Sequence, residues 1–159
     1  VLPSDVQART FELLGATPMR MDLTEAIDGV VNGTLDAQEN PFANTVTYGV
    51  HKFHRHHTLS NHFYISRPIF THRDSVDAWP DDLKAAMNNA VGDAITFQRG
   101  LSEQEAIDAR QEIEAAFDGG GEIAELTEDE HLAFVDAVSP QHTEARETFG
   151  DEMFKLAGL

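Results

Sequence analysis

The segment GTLDAQENP, residues 33–41, gathers Asp36, Gln38, Glu39 and Asn40 just before a proline suited to the first turn of a helix. An asparagine amide placed there can donate to a ligand carboxylate, with the helix N-terminus adding favourable potential. It can equally cap the helix in an exposed turn, and local chemistry puts that reading ahead. Arg67 lies in an apolar and aromatic stretch, where a guanidinium is costly unless it meets a carboxylate or reaches solvent. A buried ion pair and recognition of an anionic ligand are both open to it. His51, His54, His56 and His57 form the densest titratable cluster. On a helix, His51 and His54 would be neighbours able to share a metal. Lys52 and Arg55 oppose a cation there and no HExxH pattern occurs, so structural or surface histidines are the leading reading.

Other chemistries are excluded more sharply. The chain has no cysteine, which removes disulfide scaffolds, thiolate metal sites and thiol nucleophiles together. Ser60 could enter a hydrolytic triad, but no GxSxG elbow surrounds a serine. Gly119–Gly121 is followed by Glu122, whose charge opposes a bound phosphate, and no GxxxxGK pattern exists. With 28 acidic residues against 11 Lys plus Arg, the formal charge is −17, which disfavours a nucleic acid partner or an anionic bilayer. No apolar run approaches the roughly 20 residues of a membrane span, so no direct membrane insertion is expected, and VLPSDVQART does not read as a signal peptide.

Behind these residues stand the elements that must position them. The 159 residues, 41% apolar, suit one compact globular unit. Ser4 and Gln7 give a capping-box pattern for a short helix stopped at Gly15. Met19, Met21 and Leu23 alternate as a brief strand, and Thr24 caps a helix to Gly33. Phe42, Val46, Val50 and Phe53 predict a helix from Pro41 to near His56. Leu59, Phe63, Tyr64, Ile65, Ile69 and Phe70 predict extended structure over 58–71, interrupted or at an edge because of Pro68. From Asp81 to Asp118 no proline intervenes, and Leu83, Met87, Val91, Phe97 and Leu101 keep helical spacing. The predicted helix is long enough to brace two bodies. Beyond the glycines come a short strand, a helix capped by Thr127 and Glu130 that stops at Ser139-Pro140, and a terminal helix.

The order of these pieces resembles the C-terminal half of a TRAP-transporter periplasmic solute-binding protein of the DctP type. The likeness rests on GATPMRMDLTEAIDGVVNGTLDAQENP, which ends in an intact Gln38-Glu39-Asn40-Pro41 signature. It rests also on VHKFHRHHTLSNHFY, with His62 in the family's histidine place, and on Trp79, Pro80-Asp81-Asp82-Leu83, Gln98-Arg99 and EIAELTEDE. The resemblance implies a two-lobed, periplasmic-binding-protein-like α/β fold, here a fragment with a long lobe-spanning helix. Residues 1–65 and 106–159 would form the second lobe, and 66–105 would return to the first.

It also implies a periplasmic receptor that binds an organic anion, often a carboxylate, and delivers it to TRAP membrane permease subunits. No catalysis and no cofactor are implied. The ligand-contacting asparagine falls on Asn40, with Gln38 and Glu39 beside it; in some members a metal bridges ligand and this region, which would make Glu39 a cation ligand. The place of a ligand-stacking aromatic falls on Leu23, and Arg67 falls on a polar cleft position, where it would pair with the solute. The family's principal carboxylate-binding arginine would fall just before Val1, so the chain reads as a fragment that binds solute weakly by itself. Two copies pairing over vacated surface would be one consequence. The competing readings are a metal-binding protein centred on the four histidines and an acidic helical module that docks a basic partner.

Overall fold

A computed structural model describes residues 1–64 and 67–158. Helix α1, Asp5–Leu13, starts where Ser4 Oγ accepts the Gln7 backbone N–H at 3.3 Å, and Gly15 turns the chain away at φ +85°. Only half of the expected capping box forms, since the Gln7 side-chain oxygen is buried without a partner. No strand forms at Met19–Leu23. Val1 donates to the Met19 carbonyl at 2.9 Å and accepts from the Met21 amide at 3.3 Å, and no other described segment extends that pairing.

Helix α2, Leu23–Asn32, is capped by Asp22 instead of Thr24. Asp22 has a glutamate three residues on, and the two exchange reciprocal bonds of 3.0 and 3.3 Å; Thr24 has Ile27 at that place. Gly33 closes the helix in the left-handed conformation, φ +76°. Helix α3, Phe42–Thr47, is far shorter than the predicted 41–56. The β-branched run Thr45-Val46-Thr47 leads into Gly49, φ +71°, and a 3-10 turn at Val50–Lys52 follows.

Strand β1 is His56–Leu59, so the extended run predicted over 58–71 shrinks to a few residues. Asn61, at φ +47°, turns the chain just beyond it. Ile65, part of that predicted run, and Ser66 lie outside the described residues, as does the lobe boundary expected between them. Helix α4, Arg73–Asp77, precedes α5, Asp81–Ala115, whose 35 residues span about 52 Å at 1.5 Å per residue. Gly100 does not interrupt it.

Strand β2, Glu122–Glu125, pairs parallel with β1 in the register His56↔Glu122 to Leu59↔Glu125. A parallel pair needs a long crossover, which α4 and α5 supply. A side chain at Gly121 would set its Cβ 2.8 Å from the Arg55 carbonyl oxygen and into the Phe117 ring, so glycine lets β2 approach β1. Helix α6, Glu128–Phe149, opens on the full Thr127–Glu130 box and runs through Pro140 without the predicted stop. Contacts just past the proline hold it: Gln141 Nε2 donates to the Val6 carbonyl at 2.9 Å, and Arg9 pairs with Glu144 at 2.7 Å. Helix α7, Asp151–Leu156, buries Phe154, with the Arg146 guanidinium 4.3 Å from its ring centre.

The core lies where α3 and the 3-10 turn meet the end of α5. Thr45, Val50, His51, Ala109 and Ile113 are buried there. Upstream on α5 most of the predicted stripe is not covered: Leu83, Met87, Phe97 and Leu101 remain exposed.

Candidate functional site

Loop 36–40, β1 and the turn after it enclose a cavity of about 540 Å³. Gln38, Glu39, Asn40, His54, Arg55 and His57 are among the residues that line it. Asn40 does not cap α3, whose start at Pro41 carries no side-chain cap. Its Nδ2 instead donates to Gln38 Oε1 at 2.5 Å, and its Oδ1 accepts from Asn44 at 3.4 Å. Gln38 in turn donates to the buried Thr45 hydroxyl at 3.4 Å. This chain of amides fixes Asn40 on the cavity wall and leaves one of its two amide hydrogens free for a ligand oxygen. Because α3 has only six residues, the side chains, and not a helix dipole, must supply the donors.

Glu39 is largely buried, with Oε2 3.6 Å from His62 Nε2. That distance suits an ion pair with a charged imidazole but is too long for a hydrogen bond, and the nitrogen is buried and unpartnered. His62 Nδ1 lies 2.6 Å from Ser60 Oγ, and its ring meets Phe11 edge-on. His62 thus ties the 36–40 loop to the chain beyond β1 and to α1.

The other sequence candidates lie elsewhere. Arg67 is exposed and does not line this cavity; nor does Leu23, exposed at the start of α2. Of the four clustered histidines, His54, His56 and His57 line the cavity and His51 does not, and the four do not meet at one point. His51, only 3% exposed, donates from Nδ1 to the Thr45 carbonyl at 3.3 Å and turns Nε2 toward Glu112 at 3.7 Å. His56 faces Glu122, and His57 packs between Phe42 and Phe117. Helical adjacency of His51 and His54 is lost because the segment is a 3-10 turn leading into β1. Among the described residues no group of three or more His, Asp or Glu can hold a metal ion. Sequence reasoning missed Arg55 and His57 as cavity residues, because it expected a helix to near His56 where the structure begins β1.

Burial pushes the His57 pKa down; the neighbouring imidazoles add to this, and only the His54 backbone opposes it. As pH falls, the unfolded chain therefore takes up this proton before the folded one. The corresponding stability is complete above the ordinary imidazole value of about 6.5 and is lost as pH drops through it toward the lower folded value. Urea midpoints at pH 7.5 and 5.5 should fall further in the unaltered protein than in His57→Gln. Equal falls would show that His57 carries no share.

The chain matches the family described as bacterial extracellular solute-binding protein, family 7 (DctP), over residues 1–148. It is 29% identical over 149 residues to the C4-dicarboxylate-binding periplasmic protein DctP of Rhodobacter capsulatus, covering 94% of this chain and 44% of that protein. A TRAP periplasmic solute-binding protein from Ochrobactrum anthropi, its C-terminus bound in the ligand-binding pocket, superposes with a TM-score of 0.74 at 31% identity, over 86% of this chain and 42% of that one. One from Shewanella oneidensis with bound succinate gives 0.81 at 22% identity, over 98% and 50%. The chain thus spans about half the length of the relatives it matches.

Proposed function

Since this chain belongs to the bacterial extracellular solute-binding protein family 7, we propose that it is the cleft-forming half of a periplasmic receptor that captures an organic anion and passes it to TRAP membrane permease subunits. The observation that carries this reading is Asn40, held on the wall of a 540 Å³ cavity with an amide hydrogen to spare. Such a receptor binds and releases its solute without catalysis. No helix among the described residues is long and apolar enough to cross a membrane.

On this reading residues 1–65 and 106–159 make the second lobe, and 66–105 return to the first. The exposed stripe of α5 from Leu83 to Leu101 then faces the first lobe. Solute shifts the opening equilibrium only by touching both lobes, so the 159 residues alone bind weakly. Arg67, outside the cavity formed here, reaches the solute only from the opposing jaw.

A thermal-shift screen of organic acids on the full-length protein tests the proposal. A selected acid at a hundred times its dissociation constant should stabilise the fold by about 2.7 kcal/mol and raise the midpoint accordingly. A screen of dicarboxylates, keto acids and sugar acids in which none moves the midpoint would overturn it.

A further inference from the structure

We propose that His51 is a positioning residue, which stands behind the cavity wall and sets Asn40 by holding the end of α3 against α5. The inference rests on the receptor reading above and adds to it a residue that does not line the cavity. Helix α3 runs out at the left-handed Gly49, whose amide goes back to the Val46 carbonyl at 2.9 Å. The Thr45 carbonyl, which that amide would serve in a continuing helix, is left to another donor. Thr45 is 2% exposed, so a carbonyl without a partner would be costly there. His51 Nδ1 supplies the bond at 3.3 Å, and since a carbonyl only accepts, that nitrogen carries a proton. Thr10, Thr45 and His51 are the buried polar residues among those described, and two of the three are thus bound to each other.

Both sides of this pair lead somewhere. The Thr45 hydroxyl accepts from Gln38 Nε2 at 3.4 Å, and Gln38 Oε1 accepts the Asn40 amide at 2.5 Å. On the far side, His51 Nε2 is turned toward Glu112 of α5, 3.7 Å from its carboxylate and one residue before the fully buried Ile113. A continuous set of side chains therefore runs from Asn40 on the cavity wall, through Gln38, Thr45 and His51, to the long helix. On the receptor reading that helix spans both lobes, so His51 sets the solute-facing amide relative to the element the lobes share.

Calorimetry on the full-length protein, with succinate and D-galacturonate as probes, provides the test. His51→Asn keeps a nitrogen where Nδ1 stands, whereas His51→Gln moves it to the place of Nε2 and away from Thr45. His51→Gln should weaken the acid that binds by about threefold to tenfold, the worth of one hydrogen bond, and His51→Asn by less than about twofold. Packing alone predicts the reverse order, because glutamine is the nearer of the two to histidine in volume. Equal losses, or a larger loss in His51→Asn, would overturn the assignment. In an Asn40→Ala background His51→Gln should cost less than about twofold more, since it acts through Asn40; a full second loss would also overturn it. The side-chain amide resonances of Gln38 and Asn40 read the same arrangement without solute: they should shift in His51→Gln and hold in His51→Asn. If the unaltered protein binds neither acid, the receptor reading loses support while these resonances still decide the positioning role, which unmoved signals in His51→Gln would overturn.

Discussion

Asn40→Asp is expected to reduce carboxylate affinity of the full-length protein by a hundredfold or more. The substitution keeps the size and shape of the side chain, removes its two amide hydrogens and adds a third carboxylate to a cavity already lined by Asp36 and Glu39. Like charges brought together in a desolvated contact cost several kcal/mol, and each 1.4 kcal/mol is a factor of ten. The fold should tolerate the change, because Gln38 can reverse its amide and donate to the new carboxylate where it now accepts from Asn40 at 2.5 Å. Asn40→Ala removes the donor without adding charge, so it should cost only about tenfold. Titration calorimetry of the three proteins with one acid separates these effects. Equal affinities in all three would show that Asn40 serves the loop alone.

Asn40 also shows where sequence reasoning succeeds and where it stops. Local chemistry favoured a helix cap, and the structure gives the side chain to Gln38 and Asn44. A cap depends on one backbone angle and one neighbour, and neither is fixed by the string Gln-Glu-Asn-Pro. The boxes at Asp22–Glu25 and Thr127–Glu130 follow from residue types three positions apart, and the second was legible for that reason. The first was assigned to Thr24 because apolar alternation at Met19–Leu23 suggested a strand that needs a partner to exist. Strand formation depends on what lies alongside, and a single chain segment does not carry that information.

The same reasoning explains the two largest displacements. Pro140 signals a helix end, yet α6 continues because Gln141 and Glu144 are bound to α1, some 130 residues away in sequence. The histidine run looked helical up to His56, but Gly49 and three β-branched residues break the helix after six residues. The long helix was legible throughout, since thirty-five residues without proline and with steady periodicity leave no alternative. Which of its turns would be covered was not.

Coverage of that helix leads to the second large effect, in which Ile113→Ala destabilises the chain by about 2–5 kcal/mol. Ile113 is 0% exposed and sits one turn after Ala109; these two are the buried residues of α5. Together they anchor the helix against α3 and the turn that carries His51. Few large apolar side chains are buried among the described residues, so the cavity left by truncation removes a large share of a small core. Urea unfolding should show a lower midpoint with an unchanged slope. Phe97→Ala is the informative comparison, since Phe97 lies on the same helix but is 69% exposed. It should shift the 159-residue chain by less than about 0.5 kcal/mol. In the full-length protein, where the proposed first lobe covers this stretch, its cost should rise toward that of Ile113. A small Phe97 effect in both contexts would place the first lobe somewhere other than on α5.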